Sequence, residues 1–333
     1  MFRILRRKFS SLLSIAVLAT ASLLLTVACS SQGNNQSAPI AVSTIPWIGY
    51  SGQYIGVEKG LFKEQGLNIQ DVPFQSNSDE VAAFLANKID IAWVTSGDAV
   101  QIAAKEPTAR IIYTADYSNG GDGIIARDIK TAADLKGKTV AREDILFEKI
   151  LLRAYLQKGG LTESDITIKN MTADAAATAF ASKQVDVAVS FEPYLRKAAK
   201  EGGGEVIFSS EGTNLIADVI VVRSSLIESR RKDLEAYLKA VDKGVKMLLA
   251  DDAEVLKIVG TKLGVSEDEV KEQKALVKLF DAAANKEIAF NPDNPQNIVG
   301  NLELTAKAAF DFKVADKVID VKALTDDSLV KAI

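Results

Sequence analysis

From residue 40 onward the chain alternates short β-rich runs with helical segments, and that alternation leaves few folds open. Ile40-Ala41-Val42-Ser43 reads as a strand, followed by a helix around Gln53 to Glu64 closed by Gly66. Leu67 to Phe74, Ile89 to Val94, Ala109 to Ala115 and Thr139 to Arg142 read as further strands. Asp79 to Ala86, Val100 to Lys105 and Leu146 to Gly159 read as the helices between them, the last carrying an Ile150, Leu151, Ala154, Tyr155 stripe at helical spacing. A threonine cap, Thr131, opens a short helix. Strands spaced by helices in this way predict an α/β fold of mostly parallel sheets flanked by helices. Beyond residue 225 long helices take over, Arg231 to Ala250 and Glu267 to Phe280, expected to pack back on the first part of the chain.

A weak internal repeat sharpens this. Ala83-Phe84 leads to Asn87-Lys88-Ile89-Asp90-Ile91-Ala92-Trp93, and Ala179-Phe180 leads to Lys183-Gln184-Val185-Asp186-Val187-Ala188-Val189. Each copy is a helix, a turn and a buried strand. Helix-to-strand turns resemble one another in many proteins; the alternative reading is two α/β lobes built alike.

The amino terminus predicts an exported, anchored protein. Arg3, Arg6, Arg7 and Lys8 precede an apolar run from Leu12 to Val27. A positive end, a short apolar core and small residues make a secretory signal, and the run is short for a bilayer span of roughly 20 residues. Residues 1–28 are expected to be a signal peptide. Cys29, the single cysteine, is expected to be lipidated, and 29–38 to be a polar tether. An incidental Cys29 on a free-ending secreted protein is the alternative, because Thr26 stands where a leucine usually does. Without the signal, 36 Lys and Arg face 44 Asp and Glu, a net charge near −8, which disfavours nucleic acid as a partner. The chain has no histidine. That removes the commonest general base, nucleophile activator and metal ligand. No catalytic residue, cofactor or metal site is read from the sequence. Gly202-Gly203-Gly204 lacks the spacing and lysine of a phosphate loop and reads as a surface turn.

"WIGYSGQYIGVEKGLFKEQGL", "AFLANKIDIAWVTSGDA", "IKTAADLKGKTVA", "LQKGGLTESDI" and "AFASKQVDVAVSFEPYL" follow one another in that order. Together they resemble the solute-binding proteins of bacterial ABC importers, in the nitrate/sulfonate/taurine and thiamine-pyrimidine-precursor family. The resemblance covers about residues 40 to 320. It implies a two-lobe periplasmic-binding-protein fold (type II), with two crossover segments and a ligand trapped between lobes by a hinge movement. Lobe 1 is expected over 39–125 plus 222–333, and lobe 2 over 126–221. The expected partners are a small-molecule ligand and an ABC permease and ATPase complex. The membrane is met through the lipid anchor alone, at the periplasmic or cell-surface face, by a monomer. A sensory lipoprotein without a permease is a lesser alternative. The pyrimidine-synthesis enzymes of the superfamily rely on histidine and metal chemistry, which this chain lacks.

In open parallel sheets, ligands sit beyond the carboxyl ends of strands. Those ends deliver Trp47 and Tyr50; Thr95, Ser96 and Asp98; Asp116 and Tyr117, then Gly120-Gly121-Asp122. In the second part they deliver Arg142, Glu143, Phe147, Phe191, Glu192 and Tyr194, with Asp218 on the return crossover. The expected ligand contacts are Trp47, Tyr50, Ser96, Asp116, Asp122, Arg142, Phe147, Glu192 and Asp218. Trp47 could equally be core, Asp98 a helix cap, and Asp116 a turn aspartate. Glu192, between Phe191 and Pro193, is a cap or an anchor, and the resemblance favours the anchor. Carboxylates near the helix that starts at Leu146 would repel an anion. Aromatics with carboxylates suit a cationic or amino-bearing ligand: an amine, a guanidinium-like compound or an aminopyrimidine. An organic sulfonate or nitrate is the alternative.

Overall fold

A computed structural model describes residues 38–333; the expected signal peptide, Cys29 and almost all of the tether lie outside them. Two sheets organise the described chain. The first contains β1 (Ile40–Thr44), β2 (Ile69–Pro73), β3 (Ile91–Thr95), β4 (Ala109–Ser118), β10 (Ala217–Arg223) and β11 (Val277–Leu279), in the order β11-β4-β10-β3-β1-β2. The second contains β5 (Asp122–Ala126), β6 (Thr139–Arg142), β7 (Thr167–Asn170), β8 (Val187–Phe191) and β9 (Glu205–Ser209), in the order β7-β6-β8-β5-β9. β1 to β4 run in one direction, and β10 and β11 run against them. β5 likewise runs against β8 and β9. This is the expected mostly parallel α/β architecture, with each sheet receiving one antiparallel strand in its middle.

The chain changes sheet between Ser118 and Asp122, and returns between Ser209 and Ala217. Residues 122–125, expected with the first lobe, therefore pair in the second sheet, and 217–221, expected with the second, pair in the first. The two crossings touch. Ser118 Oγ lies 2.7 Å from Ser210 Oγ, and Gly120 N donates to Ser210 Oγ at 2.8 Å.

The repeat is real in three dimensions. β3 and β8 hold equivalent places, each flanked by a parallel strand on one side and the antiparallel strand on the other. Asn87 and Lys183, 96 residues apart, both take a left-handed backbone in the turn before them (φ 57° and 62°). Arg223 donates to Phe84 O and Ile89 O and lies 4.1 Å from the Phe84 ring centroid. Arg127, also 96 residues earlier, does the same to Phe180 O and Val185 O, 4.2 Å from the Phe180 ring. A guanidinium that satisfies turn carbonyls and covers a ring face is a cation–π clamp, used once in each half.

The helices differ from expectation in where they start and stop: those expected from Val100 and Arg231 begin earlier, at Ser96 and Ser224, and two others end sooner. The first is Ser51–Glu58, ending before Gly60 (φ 69°), with only a short turn at Leu61–Glu64 beyond it. Glu267 to Phe280 is helical only to Lys274; Val277–Leu279 instead pairs with β4 as an edge strand. The long helix Ser224–Leu249 packs on Ser51–Glu58 through small residues: a Cβ at Gly244 would lie 3.0 Å from Gly52 O. Beneath that contact the buried Trp93 donates from Nε1 to Tyr237 Oη (2.7 Å), which donates to Gln53 Oε1 (2.8 Å). Large amphipathic rings are thus buried with their polar ends satisfied. Among the described residues no helix is long and apolar enough to cross a membrane.

Candidate functional site

The two sheets present equivalent strand ends to a shared, nearly filled cavity with room of about 10 Å³. β10 lies antiparallel between β3 and β4, so its near-terminal Asp218 stands opposite Thr95 on one side and Asp116 on the other. β5 lies antiparallel to β8, so its first residue, Asp122, stands opposite Phe191. Asp122 and Asp218 are 96 residues apart, as are Thr95 and Phe191. The internal repeat therefore sets two equivalent carboxylates at the cavity, one from each sheet, both on its wall.

Aromatic rings complete the wall. Trp47, Tyr50, Phe147 and Phe191 line it. Trp47 meets Phe191 edge to face at 6.1 Å, and Phe147 lies 6.3 Å from Phe191. Trp47 is fixed from two directions. Its Nε1 donates to Asp116 Oδ2 (3.0 Å), and its ring fills space that a Cβ at Gly121 would invade, 2.5 Å from Cη2. Tyr50 donates to Asp218 Oδ1 at 2.7 Å.

Every one of these acids is buried, and burial pushes its carboxyl upward because the charged form loses water. Asp122 rises to about 7, with a bond to Ser118 opposing and nearby Glu192 adding to the shift. Asp116 rises to about 8 through burial, against the Trp47 donor, with Asp122 adding to it. Asp218 stands well above the usual carboxylate range through burial and then the charges of Asp116 and Asp122. Asp122 Oδ2 and Asp116 Oδ1 have no protein partner. Just behind the wall, Asp98 is held by Thr95 Oγ1 (2.8 Å) and Asn77 Nδ2 (3.0 Å) and rises to about 6. Glu80, fully buried, is raised well above its ordinary value by burial.

Of the expected contacts, Trp47, Tyr50, Asp122, Phe147 and Asp218 lie on the wall, and Asp116 stands directly behind Trp47. Three more do not reach it. Ser96 is buried at the start of the helix Ser96–Lys105, while its neighbour Thr95 lines the cavity and accepts from Asp98 N as the cap. Arg142 is drawn away, donating to Glu143 O (2.9 Å) and Asp144 Oδ1 (3.2 Å), with Glu163 at 3.5 Å. Glu192 is held by Arg196 at 2.5 Å. The remaining wall residues, Ile45 and Asn77, were not expected. Asn77 follows the carboxyl end of β2, the one early strand end left out of the sequence reading.

Contacts also bridge the two sheets' flanking elements. Ser78 donates from N (3.1 Å) and Oγ (2.6 Å) to Glu143 Oε1, and Arg153 stacks 3.4 Å from the Phe312 ring centroid while pairing with Asp311. Among the described residues no three acidic side chains converge closely enough to hold a metal ion. The wall offers no thiol, lysine or imidazole.

Comparison with known proteins adds the following. The family described as "NMT1/THI5 like" matches residues 47–255. A Bacillus subtilis (strain 168) protein named for binding aliphatic sulfonates is 26% identical over 83% of this chain and 83% of its own length. The alkanesulfonate-binding protein SsuA from Xanthomonas axonopodis pv. citri, solved with MOPS, superposes with a TM-score of 0.71 at 17% identity, over 87% of this chain and 99% of its own. The ligand-binding component of an ABC-type import system from Staphylococcus aureus gives 0.72 at 14%, over 89% and 98%. The desulfurization enzyme DSZB gives 0.64 at 16%, over 89% and 98%. These structures share the fold, and one of them is an enzyme, so the fold alone does not choose between binding and catalysis.

Proposed function

Because this chain belongs to the NMT1/THI5-like family, we propose that it is an extracytoplasmic solute-binding protein of an ABC importer, lipid-anchored through Cys29, that encloses a small nitrogen-bearing cation between two lobes and delivers it to a permease. The lobes meet where the chain changes sheet, at 118–122 and 209–217. The observation that carries the ligand reading is the pair Asp122 and Asp218, one from each sheet, on a wall with no basic side chain.

The magnitudes favour a cation. An ionised carboxylate about 5 Å from a unit charge, at an effective dielectric of about 20, contributes about 3 kcal/mol of attraction or repulsion. An anion would meet that repulsion from each aspartate that is ionised; a cation gains it from each and favours their ionisation. Ring faces of Trp47, Phe147 and Phe191 add cation–π attraction. Equivalent carboxylates from two sheets suit a molecule with N–H donors on two edges, such as an amine, a guanidinium-like compound or an aminopyrimidine. The cavity has room of about 10 Å³, about one water, so a ligand enters only as the walls part, and a small one requires the least movement. Trapping without chemistry is consistent with a wall that lacks an activated nucleophile.

A second reading, an organic sulfonate or nitrate, draws on the sulfonate-binding relatives, and the raised carboxyls would have to bind it protonated. A thermal-shift screen of the purified protein separates the two. Methylammonium, guanidinium and 4-aminopyrimidine salts are compared with ethanesulfonate, taurine and nitrate, all as chloride or sodium salts. Stabilisation by a member of the first set is expected. Stabilisation by the second set alone would replace the cation reading with the anion one.

A further inference from the structure

The site holds more acid than a single positive charge can balance, and the surplus is arranged as a pair. Asp116 and Asp218 stand opposite each other on adjacent strands, with Asp116 Oδ2 on Trp47 Nε1 and Asp218 Oδ1 on the Tyr50 hydroxyl. Each carboxylate receives one neutral donor. Neither receives a cation. Asp122 adds a third acid with a bare Oδ2, buried and on the wall.

The surroundings supply no compensating base. From the helix that starts at Ser96 comes Asp98; from the helix Asn77–Leu85 comes Glu80, with both oxygens unpartnered. From the second sheet's side come Glu192, already held by Arg196, and Glu148, which accepts from Glu143 N at 2.7 Å. Glu143 itself faces Ser78, and Arg142 turns outward to Asp144 and Glu163. Tyr50 is the remaining titratable group, and it is a donor here. Two carboxylates side by side in a dry site cannot both be charged. One of the pair must carry a proton until another positive charge replaces it.

We propose that the site takes up its cation in exchange for a proton, the monocation entering against Asp122 and Asp218 as the Asp116–Asp218 pair releases the proton it holds. The inference rests on the cation reading. The step balances: one carboxyl O–H bond breaks, its proton passes to solvent, and the entering charge replaces it, so the site's net charge is unchanged. The consequence is a pH-dependent grip. Acid returns the proton and loosens the cation.

Calorimetry with guanidinium and methylammonium chlorides tests this, since neither cation titrates between pH 5 and 8. Titrations at pH 7 in phosphate and in Tris, buffers of different ionisation enthalpy, report protons released per cation bound, with the Tris series run at two buffer concentrations because Tris is itself an ammonium cation at this pH. Between one and two are expected, the excess over one coming from Asp122, whose carboxyl is pushed up to about 7, and Kd should rise at least tenfold per pH unit on going from pH 7 to pH 5. Asp116→Asn keeps both wall carboxylates but removes the surplus acid, so fewer protons should be released per cation than in the wild type while the cation still binds. Should Asp116→Asn not fold, Tyr50→Phe serves instead. It takes a donor from Asp218, and the midpoint of the Kd–pH curve should move upward. A cation that binds with buffer-independent enthalpy and a flat Kd from pH 5 to 8 overturns the exchange and leaves the cation reading standing. Binding of ethanesulfonate with no binding of either cation overturns both.

Discussion

Replacing Asp122 with Asn should make the solute-free protein more stable at pH 8 and abolish its tight binding. Asp122 is buried, its Oδ2 has no partner, and its carboxyl is pushed up to about 7 from the ordinary value of about 4. The sign follows from linkage. A carboxyl raised in the folded state makes the native protein bind more protons than the unfolded chain, so stability is complete below about pH 4 and is lost as pH rises towards 7. At pH 5 about one pKa unit of that loss is present, and at pH 8 about three. At about 1.4 kcal/mol per unit, the wild type loses about 2–3 kcal/mol between the two pH values through this residue. Asn is isosteric and does not titrate. The advantage of Asp122→Asn over wild type should therefore grow by about 2–3 kcal/mol from pH 5 to pH 8. The assay is urea unfolding at both pH values on protein refolded from denaturant to strip bound solute. With a slope near 3 kcal/mol/M the difference is about 1 M in midpoint. If the advantage is the same at both pH values, or if wild type is the more stable at pH 8, Asp122 is not a desolvated acid and the electrostatic reading of the cavity falls with it.

Glu192→Gln should change cation affinity less than threefold, because Glu192 is engaged by Arg196 and lies off the wall; a loss of tenfold or more in calorimetry would put Glu192 back at the ligand. Cys29→Ser should move the protein from the membrane fraction to the soluble one with an unchanged thermal transition, and a protein that still pellets with membranes after a salt wash would refute the anchor.

Much of the fold was legible because its signals are redundant. The strands at Ile40, Ile91, Ala109, Thr139 and Val187 announce themselves by apolar runs, whereas Asp122–Ala126, taken as a crossover, and the polar Thr167–Asn170 do not; the repeat around Asp90 and Asp186 correctly marks equivalent units. Its partner signal, Arg127 and Arg223 at the same offset, was readable too, but arginine after a strand looks like any surface residue until the carbonyls of Phe84 and Phe180 come round to meet it. The helix expected through Phe280 stops at Lys274 because Val277-Lys278-Leu279 alternates for an edge strand, with a lysine of the kind that blunts sheet edges. Glu192 could have been read more sharply. Arg196 follows at i+4, the spacing at which opposite charges meet on a helix face. For Arg142 no local signal sufficed, since Glu163 stands 21 residues away and is brought near only by folding.

The wall acids were found by a rule that is incomplete. Ligands lie beyond the carboxyl ends of parallel strands, yet Asp122 and Asp218 lie at the beginnings of β5 and β10. They reach the cavity because those two strands run against their neighbours. Had β10 entered parallel to β3, its first residues would stand at the far edge of the sheet, and Asp218 could not face Thr95. The two crossings, each placing an antiparallel strand in the middle of the sheet it enters, are thus what carry acid to the site. The same device, used twice at a 96-residue offset, yields two carboxylates rather than one. A cavity built this way presents like charges from opposite sides, and the repeat that made the fold legible also sets the charge its ligand must answer.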